Sequence, residues 1–270
     1  MARALVLGGG GHIGSAIARV LTGRGWRVAV ATLRPGERAN LAGLDVDRLV
    51  GDDTADADLE TWISGAALVV DAASPYALDL HDPETGHNDR VAAAEARMRR
   101  ILNAAAATGA RLIHIGSFLN RADLASAGFR SRIVRAAHPY FRIKKRLAEL
   151  ARDAARNGQP VMAVNPASCL GPGNLRPPNH SFVASVLSGE MPFSYPDVIN
   201  VMDARDVAEG VVRAEESGWH GGAVDLSGTN VSVHDLTEMI ARVGEVPTPP
   251  RSRALAAGAA TLYGVESAAA

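Results

Sequence analysis

Residues 4–14 read Ala-Leu-Val-Leu-Gly-Gly-Gly-Gly-His-Ile-Gly, and this stretch decides the fold. Its apolar start predicts a buried strand, and the amphipathic residues 12–24 predict a helix directly after the glycines. Gly8, Gly11 and Gly14 have the spacing G-x-x-G-x-x-G, which permits a tight turn, close approach of the backbone to a pyrophosphate, and close packing of helix on strand. The helix N-terminus adds free N–H groups that favour phosphate.

The stretch therefore predicts a dinucleotide-binding loop. Its expected cofactor contacts are Gly8, Gly11, His12, Ile13 and Gly14. A flexible turn is the alternative interpretation of so many glycines, but the flanking strand and helix favour the binding loop. A P-loop is excluded, because no Gly-Lys-Ser or Gly-Lys-Thr follows the glycines.

Short apolar runs alternate with long amphipathic stretches over the first part of the chain. Further strands are expected at residues 27–32, 48–50, 67–72, 112–116 and 161–164, with helices at 90–108 and 140–156. Continuous apolar strands that alternate with helices are typical of a parallel sheet covered on both faces. We therefore expect an α/β fold with a doubly wound, Rossmann-like parallel sheet, whose ligands bind at the carboxyl ends of the strands.

The pattern becomes looser after residue 165. A loop is expected at residues 171–178, helices near 180–188, 203–217 and 233–243, and a strand at 224–226. We interpret residues 1–165 as the dinucleotide-binding domain. Residues 166–270 are interpreted mainly as a small C-terminal substrate-binding lobe, interwoven with the sheet as one globular unit.

Composition limits the function classes. The 270 residues carry a formal net charge of −1 and are 47% hydrophobic. This balance argues against nucleic acid and against an anionic membrane surface as partners, because both favour a basic patch. No segment reaches the ~20 apolar residues of a membrane span, and the single cysteine, Cys169, cannot form an internal disulfide. We expect a soluble, cytoplasmic protein with a small-molecule substrate.

The end of the second expected strand bears on the choice of cofactor. NAD sites usually place Asp or Glu there for the ribose hydroxyls, whereas NADP sites use Arg for the 2′-phosphate. Arg34 follows this strand with Arg38 close by, and Arg pairs bidentately with phosphate. We therefore expect NADP; NAD remains the alternative if both arginines are solvated. Asp52, after the third strand, is placed either to meet the adenine or to form a turn.

Tyr140 and Lys144 stand four residues apart, which places them on one face of a helix. An ammonium beside a phenol favours phenolate, so the pair can exchange a proton with a carbonyl or alcohol oxygen as hydride moves. The chain has 26 Arg and only two Lys, Lys144 and Lys145, so a lysine at this position indicates a need for a compact ammonium. Ser117 follows the fifth strand, where a substrate carbonyl would bind. The plainer interpretations are a buried tyrosine with a solvated lysine, and a serine that caps the next segment.

Together these residues resemble the extended short-chain dehydrogenase/reductase superfamily. Within this superfamily, the sequence resembles the subgroup of NAD-dependent epimerase/dehydratase-like proteins and dihydroflavonol-reductase-like reductases. The matching segments are residues 7–14, 51–52, 70–75, 165–173 and 200–208, together with Ser117, Tyr140 and Lys144. The resemblance spans residues 4 to about 243 and is specific for the superfamily rather than for a substrate.

The resemblance implies a role for each matching residue. Tyr140 would be the acid/base, Lys144 would bind the nicotinamide ribose, and Ser117 would orient the substrate. The further residues expected to line the cofactor are Ala72, Ala73 and Pro166.

Three departures from the family pattern matter. Ala94, Arg97 and Met98 stand where the family usually has Asn, Gly and Thr, and a bulky cation in place of Gly raises doubt about the usual packing. The chain ends soon after a proline-rich break, whereas sugar-nucleotide epimerases usually have a larger C-terminal lobe. The acids of the sugar-nucleotide dehydratases are absent after Ser117. These departures favour simple carbonyl reduction or alcohol oxidation.

Other residues carry weaker expectations. Tyr76 and His87 lie in a polar segment, residues 76–89, which would either flank the substrate pocket or form a solvated loop. No metal site is expected, since no ligand cluster with typical spacing is evident. The alanine-rich helices at 90–108 and 140–156 suggest a homodimer, although core packing also explains their alanines.

The sequence thus predicts an oxidoreductase that transfers a hydride between NADP(H) and a small carbonyl or secondary alcohol. One alternative is a nucleotide-sugar epimerase with bound NAD, and the other is a non-catalytic NADP-sensing regulator. Tyr140 and Lys144 argue against the regulator. The small C-terminal lobe, and Asn165 where the family has Arg, argue against the epimerase.

Overall fold

The structure is a computed structural model. It describes residues 1–32, 39–51, 56–73, 87–118, 139–176, 181–194, 198–218 and 221–252.

A seven-stranded parallel sheet forms the centre of the described part of the chain. Its strands are β1 (Arg3–Leu7), β2 (Arg27–Thr32), β3 (Asp47–Val50), β4 (Leu68–Asp71), β5 (Arg111–Ile115), β6 (Val161–Pro166) and β9 (Ala223–Leu226). Their order in the sheet is β3-β2-β1-β4-β5-β6-β9. The strand order reverses between β1 and β4, which creates the crevice where doubly wound folds bind their ligands. The order and the parallel pairing confirm the expected Rossmann-like fold.

Helices cover both faces of this sheet. They are α1 (His12–Gly23), α2 (Asp56–Ile63), α3 (His87–Thr108), α4 (Pro139–Arg156) and α6 (Ala204–Glu216). Two further helices, α5 (Phe182–Leu187) and α7 (Val233–Val243), pack in a separate core. Alternation along β1 directs Leu5 and Leu7 to the core under α2, α3 and α4, and Ala4 and Val6 to the core under α1 and α6. Buried alanines of α3 and α4 belong to the first of these cores, so core packing accounts for them.

Charged pairs join the helices that lie side by side. Arg146 of α4 donates to Glu95 of α3 through two nitrogens at 2.7 and 2.9 Å. On the other face, Arg24 at the end of α1 donates to Glu209 of α6 at 2.9 Å. These pairs are partly exposed, so most of the helix packing energy comes from the apolar cores.

A second, three-stranded sheet was not expected from the sequence. Its strands are β7 (Ser168–Leu170), β8 (Val198–Asp203) and β10 (Thr229–Ser232), in the order β10-β8-β7. It shares a small core with α5 and α7, built from Val186, Ile199, Val233 and Leu236. The chain runs from β8 through α6 to β9 of the main sheet and then returns to β10. The second sheet therefore begins where the main sheet ends, beside the carboxyl edge.

Several element bounds differ from the expectations. The main-sheet strands lie where the apolar runs predict, with ends that differ by one or two residues. Helix α2 was not predicted at all, and α3 begins at His87 rather than at residue 90. His87 is therefore the first residue of a helix and not a loop residue. In the described residues, no helix is long and apolar enough to cross a membrane.

Candidate functional site

The glycine loop lies at the reversal point of the main sheet, between β1 and α1. Gly8 has φ of 71°, and its amide donates to the carbonyl of Ala31 at 3.0 Å. A Cβ on Gly8 would lie 2.7 Å from Cα of Ala73, just after β4, and a Cβ on Gly14 would overlap the Gly8 carbonyl oxygen. Only glycine fits these two positions, because the backbone segments touch.

The N-terminus of α1 is built to receive an anion. Gly11 is its N-cap residue and offers no side chain to the free N–H groups, and the first turn contains no acidic residue. A helix N-terminus of this kind binds phosphate through backbone N–H groups and the helix dipole. The loop therefore fits the pyrophosphate of a dinucleotide, with Gly8, Gly11 and Gly14 as the residues that shape it and Ala73 as its neighbour across the crevice.

His12 connects this loop to the second sheet. Burial lowers the pKa of His12 from its ordinary value of 6.5, as does the positive charge of Arg176, while Asp203 and a hydrogen bond with the Gly171 backbone oppose the change. Gly171 follows β7 and Asp203 ends β8. The imidazole is therefore uncharged at pH 7. It lies near residues of the second sheet, although His12 itself begins α1.

The three expected catalytic residues lie on α4 and at the end of β5. Nζ of Lys144 donates to the carbonyl oxygens of Ile115 at 3.2 Å and Gly116 at 3.3 Å. Ser117 directly follows these carbonyls, and Tyr140 precedes Lys144 by one helical turn. All three expected residues are buried. The structure thus brings the Lys144 ammonium to the strand end that carries Ser117, while the catalytic roles of the three residues stay predictions.

A buried charged cluster beside this edge was missed by the sequence analysis. Asp71 ends β4, and its two carboxylate oxygens accept from Arg97 of α3 at 2.8 Å and pair with Nδ1 of His114 of β5 at 2.9 Å. Burial of Asp71 opposes its ionisation, but Arg97 and His114 together hold the pKa of Asp71 far below its usual range. Among the residues that the structure describes, Nε2 of His114 is buried without a hydrogen-bond partner. An acid closing an otherwise apolar strand was the available sequence signal.

The same cluster explains how the side chain of Arg97 can be buried at this position. A guanidinium at a position where the family usually has Gly is accommodated because Asp71 neutralises it inside the core. Both side chains are almost completely buried, with exposed fractions of 5% and 0%, so neither charge is compensated by bulk water.

Asn165 and Pro166 end β6 next to the edge strand β9. Nδ2 of Asn165 donates to the carboxylate of Asp225 at 3.0 Å, while its Oδ1 is buried and has no partner in the described part of the chain. Pro166 pairs in register with Leu226. The substitution of Asn for the family's Arg therefore leaves a neutral amide beside Pro166.

Other expected contacts lie outside the described residues. They are Arg34, Arg38, Asp52 and Tyr76. The backbone of His87 is described, but its side chain is not. Within the described ranges, no group of three His, Cys, Asp or Glu side chains is arranged to hold a metal ion.

The chain is similar to a known protein family, to a named protein and to solved structures. The model of the NAD dependent epimerase/dehydratase family matches residues 4–226. A protein of Synechocystis sp. named "Putative dihydroflavonol 4-reductase" is 26% identical over 255 residues, which cover 90% of this chain and 73% of that protein. The crystal structure of gox2253 superposes with a TM-score of 0.80 at 27% identity, over 94% of this chain and 78% of that one.

A more distant structure shows the fold alone. It is the UDP-glucose 4-epimerase of Stenotrophomonas maltophila, solved with bound NAD and formylated UDP-arabinopyranose. It superposes with a TM-score of 0.75 at 18% identity, over 100% of this chain and 94% of the epimerase.

Proposed function

This chain belongs to the NAD dependent epimerase/dehydratase family, and we propose that within it the protein is a reductase or dehydrogenase. It transfers a hydride between NADP(H) and a small carbonyl or secondary alcohol substrate, with Tyr140 as acid/base. The observation that carries the proposal is the position of Lys144, whose ammonium is fixed by the carbonyls of Ile115 and Gly116. This fixes a cation one helical turn from Tyr140 and beside Ser117.

The nicotinamide, when bound, supplies or accepts the hydride. For reduction, the chain's part is to deliver one proton to the carbonyl oxygen as that hydride reaches the carbon. The Tyr140 hydroxyl gives this proton and becomes phenolate, which the ammonium of Lys144 favours electrostatically. The Ser117 hydroxyl holds the same oxygen by a hydrogen bond. Oxidation of an alcohol is the reverse, with the phenolate accepting the proton.

The choice of NADP over NAD rests on Arg34 and Arg38. Both follow β2, the strand whose end meets the adenosine ribose in doubly wound folds. Guanidinium groups there pair bidentately with a 2′-phosphate and have no such partner in NAD. The family itself comprises NAD-dependent proteins, so NADP preference is specific to this proposal.

The test is to follow NADPH and NADH oxidation against a panel of aldehydes and ketones. Tyr140→Phe is expected to lower kcat by roughly 100- to 10,000-fold, which is the usual contribution of a positioned acid or base. Lys144→Met is expected to lower it as well. Lys145→Met is the matched control, because Lys145 is the only other lysine and is exposed on the same helix.

Three results would contradict parts of the proposal. Equal rates for the wild type and Tyr140→Phe would remove the mechanism. Equal losses in Lys144→Met and Lys145→Met would remove the role of the buried ammonium. A strong preference for NADH would remove the argument from Arg34.

A nucleotide-sugar epimerase is the second candidate, favoured by the fold shared with an epimerase that binds NAD and a UDP-sugar. An epimerase returns its cofactor to the starting oxidation state, so it consumes no NADPH. Conversion of a UDP-sugar by the wild type without net change in absorbance at the nicotinamide band would favour this candidate over the reductase.

A further inference from the structure

One amide side chain joins the glycine loop to the turn at residues 171–176, which follows β7. Nδ2 of Asn40 donates to the carbonyl of Gly10 at 3.1 Å and to the carbonyl of Gly173 at 2.8 Å. Asn40 lies in a single turn of 3₁₀ helix, Ala39–Leu41, which is anchored in the core by Leu41. A primary amide has two N–H donors, and both donors are directed to loops that belong to different sheets.

The fit around Gly173 is close. Its φ is 84°, a conformation that favours glycine, and a Cβ there would lie 3.0 Å from Oδ1 of Asn40. The turn therefore lies directly against the Asn40 side chain. The bridge depends on this close approach of the turn backbone.

His12 makes a second connection between the same two segments. It begins α1 within the glycine loop, and its ring lies close enough to the Gly171 backbone and to Arg176 for both to influence its pKa. The turn is thus bound by Asn40 at Gly173 and lies near His12 at Gly171. Ordering of the glycine loop therefore restricts the turn as well.

We propose that Asn40 is a positioning residue that couples dinucleotide binding at residues 8–14 to the order of the turn at residues 171–176. This inference rests on the proposed function, because it requires a dinucleotide at the glycine loop. The turn follows β7 of the second sheet, so its order would preorganise the part of the chain that we expect to bind the substrate. Since coupling between binding sites is reciprocal, a substrate that orders the turn also increases the affinity of the protein for the cofactor.

The test is hydrogen–deuterium exchange on the full chain, with and without saturating NADPH. In the wild type, NADPH should slow exchange in peptides that cover residues 8–14 and residues 171–176. In Asn40→Ala, NADPH should still protect residues 8–14 but should leave the exchange of residues 171–176 unchanged. Asn200→Ala is the matched control, because Asn200 also bridges two segments, by its bonds with Gly228 and Asn230, but away from the glycine loop.

The affinity readout is the KM of the best carbonyl substrate from the panel, with NADPH saturating. Loss of the bridge should raise this KM about tenfold, or ~1.4 kcal/mol, with a smaller effect on kcat. Asn40→Ser is the second variant if Asn40→Ala does not fold, since serine is small, uncharged and cannot span both carbonyls.

The outcomes separate this inference from the proposed function. NADPH protection of residues 171–176 in Asn40→Ala equal to that in the wild type overturns the coupling. Protection of residues 8–14 alone in the wild type also overturns it, yet leaves the proposed function intact. Absence of protection at residues 8–14 in the wild type, with either NADPH or NADH, overturns the proposed cofactor site and the coupling together.

Discussion

Asp71 is a carboxylate buried among apolar strands, and its charge is tolerated because Arg97 and His114 surround it. Asp71→Asn would leave the buried guanidinium of Arg97 facing a neutral amide. Removing one partner of a buried ion pair typically costs about 3–5 kcal/mol, so we expect a loss of this size in the free energy of unfolding at pH 7. Urea titration followed by circular dichroism measures it.

Asp153→Asn is the control for this prediction, since Asp153 pairs with Arg156 on an exposed surface at 3.7 Å. That variant should change stability by less than ~0.5 kcal/mol. Because the pKa of Asp71 is lowered from 3.8, its contribution is present above that unfolded value and declines as the pH falls further. A loss below about 1 kcal/mol for Asp71→Asn at pH 7 would show that the cluster adds little.

His12 should make stability depend on mildly acidic pH. Burial and the charge of Arg176 lower its pKa from 6.5, so the unfolded chain binds this proton more readily than the folded chain. Stability should therefore fall as the pH drops below 6.5 and through the lowered pKa of the folded state. Urea midpoints of wild type and His12→Gln at pH 7.5 and 5.5 measure this, and the wild type should lose more on acidification. Equal losses in the two proteins would contradict the assignment.

At the scale of single elements, α1 contains two glycines whose replacement should have opposite effects. Helix propensity alone favours Ala over Gly by about 0.5–1 kcal/mol. A Cβ on Gly14 would overlap the Gly8 carbonyl and lie 2.9 Å from Cα of Gly9, whereas a Cβ on Gly23 would have no described atom within 4 Å. Gly14→Ala should therefore cost about 1–3 kcal/mol and weaken dinucleotide binding.

Gly23→Ala should instead stabilise the protein slightly and leave binding unchanged. Thermal unfolding and fluorescence titration with NADPH on both variants measure the contrast. If Gly14→Ala were as stable as Gly23→Ala and bound NADPH equally well, the tight packing of the glycine loop would not be a requirement of the site.

The main-sheet strands could be predicted because each is a continuous apolar run, and burial on both faces leaves that signal in the sequence. The second sheet was harder to predict, since β7 has three partly exposed residues, and β10 has two exposed and two partly exposed residues, without apolar alternation. A strand of that kind is stabilised by its neighbours, which lie far away in the sequence. The missed α2 is a different case: Leu59, Trp62 and Ile63 have the i, i+3, i+4 spacing of a helix and are buried, so its signal was present in a short segment of the sequence.

In the candidate site, too, some features could be predicted from the sequence and others could not. The glycine spacing and the Tyr140–Lys144 spacing are local, so the sequence predicts them. The contacts of Asp71 with Arg97 and His114 join residues 26 and 43 positions apart. The bridge from Asn40 to Gly173 joins residues 133 positions apart. Contacts of this kind depend on the strand order, which a single sequence does not reveal.

At the scale of the whole molecule, cofactor binding should stabilise the native state against unfolding. A ligand that binds only the native protein at about 100 times its Kd adds ~2.7 kcal/mol. For a chain of this size that corresponds to a rise in Tm of roughly 5–10 °C. Differential scanning fluorimetry with NADPH, NADH and no ligand measures the shift, with Gly14→Ala as the variant expected to show little.

The same measurement distinguishes the two cofactors. Both dinucleotides share the pyrophosphate that α1 and the glycine loop receive, so both should raise the Tm. NADPH adds a 2′-phosphate for Arg34 and Arg38, so at equal concentration its shift should exceed that of NADH, and the excess should disappear in Arg34→Gln. Each tenfold difference in affinity adds about 1.4 kcal/mol at saturating concentrations, or roughly 3–6 °C in Tm. An equal or larger shift with NADH in the wild type would contradict the NADP preference, because the 2′-phosphate would then add nothing to the binding.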